Sequence, residues 1–301
     1  DRLRSRGLGD VYKRQMQKSA LAEMRGQGQL IDYEELKSLF CSGKTITEEG
    51  EEPWEMVTPG AMEAVGKYVS TQDGDYLQRI CGNTFYYMTE RDIQDIEDLT
   101  IYETGKNLDF ASIEETDKTI RDIAEKLNIA VGKGVCYTID TSSQPHYVFQ
   151  YEILVNGMPL AMFDGGSYSG DAYVPGTYMT AVVDADGIRH YDVSYVLEEL
   201  ESGESKKVLT LDEALQAVDD KYNSVIMEGE YFIDDIQMAY TPVQTEETGI
   251  VRLIPVWYFQ TTHQILVPNR SGTGEVMLPQ SGYILINALD GTELLHSNGD
   301  I

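Results

Sequence analysis

Residues 146–157 read HYVFQYEILVNG, and their aromatic and apolar side chains recur at every second position from Tyr147 to Val155. This period of two is typical of a β-strand with one face in the protein core. Asn156-Gly157 follows, a pair that tolerates the positive φ angles of a type I′ turn, and the chain returns through Met158-Pro159-Leu160. The stretch therefore predicts an antiparallel hairpin.

An amphipathic helix precedes this hairpin. Ser112-Ile113-Glu114-Glu115 has the form of a capping box, in which the serine and the last glutamate satisfy free N–H groups at a helix start. Apolar residues then recur at helical spacing as far as Leu127. A strand is predicted at Val135–Ile139, and a second hairpin at Thr177–Tyr195 with its turn at Asp186-Gly187. This part of the chain therefore predicts one helix followed by an antiparallel sheet.

The same order of elements returns after the polar stretch Ser202–Lys207, which is a natural boundary. Thr210-Leu211-Asp212-Glu213 is a second capping box and begins a second amphipathic helix. The strands predicted after it are Ile236–Tyr240, Val251–Gln260 and Tyr283–Ala288, with a last turn at Asp290-Gly291. Because the order repeats, we predict that one module occurs twice.

The residues before the first module give mixed signals. Glu48–Pro53 is charged, contains glycine and ends in proline, which indicates a linker. Other patterns predict a helix from Asp32-Tyr33-Glu34-Glu35 to Phe40, a second helix after Thr58-Pro59 with Met62, Val65 and Val69 on one stripe, and a strand at Thr84–Met88.

Residues 1–15 differ from the rest of the chain because they are basic and the remainder is acidic. The stretch Gly9–Gln15 resembles the translated end of a sequencing adapter, and we interpret residues 1–15 as non-native. The domains predicted after this tail are a mixed N-terminal segment at 16–106, module 1 at 107–202 and module 2 at 208–301. We predict an α+β fold of two tandem modules, each a helix packed on a twisted antiparallel sheet, preceded by an irregular N-terminal segment.

The charge of the chain limits its partners. It has 51 acidic residues against 23 lysines and arginines, a formal net charge of −28 at pH 7. Such a charge repels phosphate groups, which argues against nucleic acid and anionic membrane surfaces as partners. No stretch approaches the roughly 18 apolar residues that a membrane helix needs.

Tyrosine is the enriched aromatic residue, with 20 copies against 7 phenylalanines and 2 tryptophans. Tyrosine buries its ring and still offers a hydroxyl group, which suits binding surfaces. An antiparallel sheet can leave one face uncovered, and we predict that Trp257, Tyr258 and Tyr283 on the second sheet form a binding face. The alternative is that Trp257 packs in the core beneath the helix that begins at Thr210.

No pattern predicts a catalytic, cofactor or metal site. Ser42-Gly43-Lys44-Thr45 lacks the first glycine of a phosphate-binding loop, and Gly165–Gly170 lacks the spacing of a G-x-S-x-G elbow and is interpreted as a flexible loop. Asp184–Gly187 lacks the further ligands of a calcium loop and fits a hairpin turn. The 3 cysteines and 4 histidines show no metal-ligand spacing. We therefore predict no catalytic residues, no cofactor and no metal.

Several short motifs carry a family resemblance. They are Thr210-Leu211-Asp212-Glu213-Ala214, Tyr240, Pro255-Val256-Trp257, Ile286-Asn287-Ala288 and, in the first half, Asn156-Gly157-Met158-Pro159. With these motifs the second half resembles the C-terminal modules of PepSY-type proteins and of YycI-like regulators of Gram-positive bacteria. The tandem as a whole is similar to clostridial surface lipoproteins, over residues 108–296.

The resemblance implies an extracytoplasmic module that binds other proteins or holds a protease or kinase in check, without catalytic residues. We therefore expect a non-catalytic binding or regulatory protein of a Gram-positive bacterium. It would be attached to the cell surface as a lipoprotein, through an N-terminal anchor lost from this sequence. The expected partner is a protein or peptide at the cell surface, and the oligomeric state is left open.

Two alternatives stay open. The first is a secreted hydrolase, which could act on glycans with two carboxylates hidden among the many acidic residues. The second is a protease inhibitor that binds through an extended edge strand, which requires an uncovered edge free of charges and bulges.

Overall fold

The computed structural model of the chain describes residues 3–5, 18–54, 59–90, 103–140, 144–163, 166–169, 172–222, 231–268 and 275–297. The helices in these residues are α1 (Tyr33–Cys41), α2 (Ile113–Lys126) and α3 (Leu211–Tyr222). The strands are β1 (Leu3–Ser5), β2 (Ala20–Leu21), β3 (Met24–Gly28), β4 (Ile46–Pro53), β5 (Val65–Thr71), β6 (Tyr76–Ile80), β7 (Thr84–Met88), β8 (Glu103–Thr104), β9 (Val131–Ile139), β10 (His146–Val155), β11 (Met158–Pro159), β12 (Gly166–Ser169), β13 (Ala172–Pro175), β14 (Tyr178–Asp184), β15 (Gly187–Ser194), β16 (Leu197–Ser202), β17 (Lys206–Lys207), β18 (Tyr231–Gln244), β19 (Ile250–Pro268), β20 (Glu275–Asn287) and β21 (Glu293–Ser297).

Two mainly antiparallel sheets contain most of the strands in the described residues. The large sheet has ten strands in the order β4-β5-β6-β7-β15-β14-β10-β9-β8, with β11 paired to β10. The second sheet has seven strands: β1-β18-β19-β20-β21, with β3 paired to β19 and β16 paired to β3. The described part of the basic tail, Leu3–Ser5, pairs in parallel with Tyr231–Ile233 at the start of β18. The predicted α+β class is confirmed.

One order of elements occurs three times in the described residues: a helix, then four antiparallel strands that pair in sequence order. The N-terminal module (33–88) has α1 and β4 to β7, and the middle module (113–194) has α2 and β9, β10, β14 and β15. The C-terminal module (211–297) has α3 and β18 to β21. The first two modules share the large sheet because their last strands, β7 and β15, pair with each other.

The N-terminal segment is therefore a module, whereas the sequence predicts an irregular stretch. The predicted linker Glu48–Pro53 is wrong, because these residues form β4, the first strand in the order of the large sheet. Charged residues and a terminal proline are compatible with a strand at a sheet edge. The predicted second helix is also wrong: Thr58 lies outside the described residues, and Val65 and Val69 belong to β5.

The local signals of helix starts and turns are confirmed. The Ser112 side chain accepts a hydrogen bond from the Glu115 N–H, and the Glu115 carboxylate accepts one from the Ser112 N–H. Asn156 and Gly157 have φ angles of 50° and 72°, as a type I′ turn requires. The Asp184 carboxylate accepts a hydrogen bond from the Asp186 N–H at 2.9 Å, which fits the predicted hairpin turn.

Helices α1 and α2 pack on the same face of the large sheet. The Phe40 ring of α1 stacks on Tyr87 with ring centroids 4.7 Å apart. The Tyr151 hydroxyl donates to the Asp117 carboxylate of α2 at 2.7 Å, and the Tyr191 hydroxyl donates to the Ile120 carbonyl at 3.2 Å. This face is the main hydrophobic core, and the hydroxyls of Tyr151 and Tyr191 are paired with α2 above them.

The second sheet is covered on both faces. On one face α3 contributes Ala214 and Val218 to the core. On the other face a second hydrophobic cluster includes Phe163 and, from β13, Val174. The prediction of a flexible loop at Gly165–Gly170 is wrong, because Gly166–Ser169 forms strand β12, which pairs with β13. This β12–β13 hairpin packs against β18 and β21.

Candidate functional site

The predicted binding face on the second sheet does not form an exposed surface. Trp257 and Tyr258 are neighbours in one strand, so their side chains point to opposite faces, and each is only 3% exposed. The Trp257 indole N–H donates to the Leu209 carbonyl at 3.0 Å, just before α3. Trp257 thus occupies the core position that was the alternative prediction.

Tyr258 and Tyr283 share the opposite face of the second sheet, where Phe163 covers them in part. The Tyr258 hydroxyl donates to the Met162 carbonyl. The ring of Tyr283 stacks on Phe163 at a centroid distance of 4.2 Å, and Tyr283 is half-buried. Of the three predicted residues, only Tyr283 therefore keeps part of its side chain accessible.

The large sheet carries half-exposed tyrosines on the face opposite to α1 and α2. One row of paired residues crosses eight strands on this face: Gly50, Tyr68, Gln78, Tyr86, Asp192, Thr180, Gln150 and Val135. Half-exposed tyrosines lie in or beside this row: Tyr68, Tyr76, Tyr86, Tyr137 and Tyr178. We call this surface the tyrosine face. Eight strands about 4.8 Å apart span roughly 35 Å.

Hydrogen bonds and stacking hold the tyrosine rings in place. The Tyr86 hydroxyl donates to Gln78 Oε1 at 2.6 Å, and the Tyr178 hydroxyl donates to Asp192 Oδ2 at 3.1 Å. The ring of Tyr76 lies 6.2 Å from Tyr68 and 5.8 Å from Tyr86. Rings that are already fixed lose little entropy when a partner covers them, so this surface is preorganised for binding.

The hydroxyl groups of Tyr68, Tyr76 and Tyr86 have raised pKa values and stay protonated at neutral pH. Burial raises the pKa of Tyr76 to about 12, and the neighbouring Tyr86 adds to this. Burial also raises the pKa of Tyr86. The hydroxyl of Tyr68 donates to the Glu48 carboxylate at 3.1 Å, and this bond raises the pKa of Tyr68. A partner therefore meets neutral rings whose hydroxyl protons are donated within the protein and whose hydroxyl oxygens can still accept hydrogen bonds.

A cleft lies where the tyrosine face meets the second sheet. It has a volume of about 520 Å³, and we call it the inter-sheet cleft. Its walls include Tyr137, Gln150 and Glu152 from the large sheet and Asp235, Gln260 and Tyr283 from the second sheet. A hollow of about 370 Å³ shares Gln150, Met162 and Phe163 with the cleft and extends to Tyr178, His190 and Asp192. We call the inter-sheet cleft and this hollow together the groove.

Glu152 is the half-buried carboxylate of the cleft. Burial raises its pKa, whereas hydrogen bonds from the Lys133 N–H, at 3.1 Å, and from the Gln237 side chain act in the opposite direction. The Asp235 carboxylate raises the pKa of Glu152 further. Gln237 belongs to β18, so its hydrogen bond to Glu152 links the two sheets.

The stretch Ser42–Thr45, which the sequence analysis did not accept as a phosphate-binding loop, holds a lysine that is bonded within the protein. Lys44 of the Ser42–Thr45 stretch donates to the buried Asp75 and, at 2.9 Å, to the Tyr87 hydroxyl. In the part of the chain that the structure describes, no group of three or more His, Cys, Asp or Glu side chains could hold a metal ion. No helix among the described residues is long and apolar enough to cross a membrane.

Two exposed strand edges carry features that discourage strand addition. The edge strand β4 has Glu48, Glu49, Glu51 and Glu52, and a bulge interrupts its pairing between Ile46 and Glu48. Strand β16 likewise has acidic residues and a bulge between Glu199 and Glu201. Charges and bulges of this kind protect an edge against pairing with another chain. These edges do not fit the inhibitor alternative.

The tyrosine face is not predicted from the sequence, because the patterns of the N-terminal segment indicate a single strand there and no sheet. A signal was present: in the predicted strand Thr84–Met88, Phe85 and Tyr87 alternate with Tyr86, which points to the other side. Only the pairing of β7 with β15 shows that Tyr86 lies beside Asp192.

The fold belongs to the class of α+β proteins built from repeated helix-and-meander modules. No family model matches the chain, and no curated protein matches it. Among solved structures, the chain is similar to an uncharacterized protein from Eubacterium rectale, at 16% identity and a TM-score of 0.72, over 92% of this chain and 86% of that one. This similarity shows the fold alone.

A second solved structure is the C-terminal domain of YpeB from Bacillus megaterium, at 9% identity and a TM-score of 0.38. It aligns with 91% of this chain and 100% of that one. A TM-score this low does not establish a shared fold, so the resemblance to PepSY-type and YycI-like modules stays a prediction.

Proposed function

We propose that this chain is a non-catalytic binding protein that recognises a protein or peptide partner through the tyrosine face. The observation that supports the proposal is the row of residues across eight strands, with fixed and half-exposed tyrosine rings. Tyrosine provides a large contact area and a hydroxyl donor at a low entropic cost, and it is enriched at the residues that dominate binding energy.

The proposed location is the outside of a Gram-positive cell, with an N-terminal lipid anchor and a regulatory role. Support for this part comes from the family resemblance of the motifs at Thr210–Ala214 and Pro255–Trp257. A gene for this protein that lacks the adapter-like stretch of residues 1–15 provides the test. We expect it to encode a signal peptide followed by a lipidation cysteine, and a gene that encodes neither would contradict the proposed anchor.

A hydrolase is the second candidate, because Glu152 and Asp235 line the same cleft. What supports binding over this candidate is that the Glu152 carboxylate accepts hydrogen bonds from the Lys133 N–H and the Gln237 side chain, which favour its ionised form rather than the protonated form of a general acid. A screen with chromogenic glycosides and esters distinguishes the two. Turnover that disappears in Glu152→Gln would favour the hydrolase, whereas we expect no turnover that depends on Glu152.

Selection of displayed peptides tests binding at the tyrosine face. An extended chain of about ten residues spans the face at roughly 3.3 Å per residue, so a library of random peptides about 12 residues long fits it. We expect selected peptides to bind the parent protein and to bind the double variant Tyr76→Ala/Tyr86→Ala about tenfold more weakly, because two central rings are lost.

The matched control is Leu30→Ala/Met62→Ala, which removes two exposed apolar side chains elsewhere on the surface. This variant should bind the same peptides as the parent does. Equal binding to all three proteins, or a library that yields no binder above the bare matrix, would contradict the proposal. Circular dichroism of the tyrosine variant checks that its fold is retained.

A further inference from the structure

We infer that the groove docks an extended segment of the partner that carries lysine or arginine, with the cationic group beside Glu152 and Asp235. This inference rests on the proposed function, because it names the chemistry of the partner at one end of the tyrosine face. The occupant is a polypeptide, since the row of paired residues runs from the tyrosine rings directly to Gln150 in the wall of the cleft.

The charge of the groove is complementary to a cation. Its described walls carry four carboxylates, Asp192, Glu152, Asp234 and Asp235, against a single lysine, Lys133. The chain as a whole has a formal net charge of −28, so its field attracts basic partners. Complementary charge at a docking surface favours the correct partner and speeds its association.

The dimensions of the cleft suit one long side chain. Its volume of about 520 Å³ lies within the range of ligand-binding pockets. Tyr137 and Tyr283 contribute aromatic rings to its walls, and a cation gains energy from contact with the face of such a ring. A lysine or arginine side chain can therefore place its stem against the rings and its charge near the carboxylates.

The ionised Glu152 carboxylate favours the binding of a cation in the cleft. Burial makes this carboxylate costly to keep ionised; the Lys133 charge offsets part of that cost, and the neighbouring Asp235 adds to it. The charged and titratable groups that face Glu152 are Lys133 from β9, Asp235 from β18 and Tyr258 from β19. A cation beside Glu152 and Asp235 offsets the cost, so the partner's charge and the ionised carboxylate stabilise each other.

The experiment uses a selected peptide and a copy in which each lysine or arginine is replaced by norleucine, which keeps the stem and removes the charge. We expect selected peptides to be enriched in lysine or arginine. Loss of the charge should weaken binding to the parent about tenfold, and binding to Glu152→Gln/Asp235→Asn no more than about twofold. Glu114→Gln/Glu125→Gln is the control, because it makes the same change in charge at exposed positions of α2. It should keep the full preference for the charged peptide.

A pH series gives an independent readout. A cation favours the ionised form of Glu152, so affinity for the charged peptide should fall as the pH is lowered through the raised pKa of Glu152. The same series with Glu152→Gln should be flatter. A preference for cations that is equal in the parent and in Glu152→Gln/Asp235→Asn would overturn the inference.

The outcomes separate this inference from the proposed function. Peptides that need Tyr76 and Tyr86 but gain nothing from a cation would overturn the inference and leave the proposed function standing. Peptides that bind independently of Tyr76 and Tyr86 would overturn both. A neutral oligosaccharide that binds the parent and is lost in Glu152→Gln/Asp235→Asn would show that the groove takes glycans, and would also overturn the inference.

Discussion

At the scale of single residues, the alternation of side chains along a strand determines which aromatic rings a partner can reach. Trp257 and Tyr258 follow each other in β19 and are buried on opposite faces of a sheet that is covered on both sides. Tyr76 and Tyr86 occupy outward positions of a sheet whose helices lie on the other face. Tyrosine is therefore structural on a covered sheet face and available for binding on an uncovered one.

Trp257→Phe tests the structural role of the buried indole. The substitution removes the hydrogen bond to the Leu209 carbonyl and leaves a small cavity under α3, so we expect a loss of about 2 kcal/mol in the free energy of unfolding. Urea unfolding measures this loss. The control is Trp54→Phe at a half-exposed position, which should change stability by about 0.5 kcal/mol or less. Equal effects of the two substitutions would contradict the assignment.

Phe163 and Tyr283 form the contact that covers part of the second sheet. Their rings are stacked at 4.2 Å, and Phe163 is 7% exposed. Phe163→Ala should cost about 3 kcal/mol, and a double-mutant cycle with Tyr283→Ala should give a coupling energy of about 1 kcal/mol. Additive effects in thermal or urea unfolding would show that the two rings do not stabilise each other.

The alternation that separates Trp257 from Tyr258 can be read from the sequence, but the covering of each face cannot. Tyr258 shares a hydrophobic cluster with Phe163 and with Val174 of the β12–β13 hairpin, which lie on either side of the stretch Gly165–Gly170 that the sequence suggests is a flexible loop. Such contacts join residues more than 80 positions apart and leave no periodic signal near Tyr258. For this reason the prediction that Trp257, Tyr258 and Tyr283 form an exposed binding face is wrong.

At the scale of secondary structure, the two capping boxes fix the starts of α2 and α3. Ser112 pairs with Glu115, and Thr210 pairs with Glu213 in the same arrangement. Ser112→Ala and Thr210→Ala should each cost about 1 kcal/mol of stability in urea unfolding. Thr119→Ala, in the middle of α2, is the control and should be neutral or slightly stabilising, because alanine favours helix. A loss at Thr119 as large as that at Ser112 would contradict this prediction.

The capping boxes also predict a dependence on pH. Hydrogen bonds from Ser112 and Thr210 lower the pKa of Glu115 and Glu213 in the folded chain. A lowered pKa contributes stability above the usual range of glutamate, and this contribution is lost as the pH falls through the lowered pKa. The difference in stability between the parent and Ser112→Ala should therefore shrink on acidification. A stability difference between the parent and Ser112→Ala that grows below pH 4 would contradict the predicted direction of the pH dependence.

The elements with strong local signals could be predicted, and those at a sheet edge could not. The capping boxes and the Asn156-Gly157 turn fixed α2, α3 and the end of β10 because each depends on neighbouring residues only. Strand β4 was missed because its glutamates and Pro53 contradict the pattern of a buried strand. Charged residues are acceptable there only because β4 pairs on one side, with β5, which is a property of the whole sheet.

At the scale of the whole molecule, three copies of one topology build a surface that no single module has. The N-terminal and middle modules join through β7 and β15, and this pairing brings Tyr86 beside Asp192. The C-terminal module then meets the large sheet at the inter-sheet cleft, where Glu152 and Asp235 lie. The wide tyrosine face and the acidic groove at its end therefore depend on the assembly of all three modules.

Hydroxyl-radical footprinting of the protein, alone and with a selected peptide, tests the central claim most directly. We predict that the peptide lowers oxidation at Tyr76, Tyr86 and Tyr178 and leaves the exposed Leu30 and Met62 unchanged. Oxidation that falls at Leu30 or Met62 while these three tyrosines remain unprotected would show that the partner binds elsewhere, and would contradict the account.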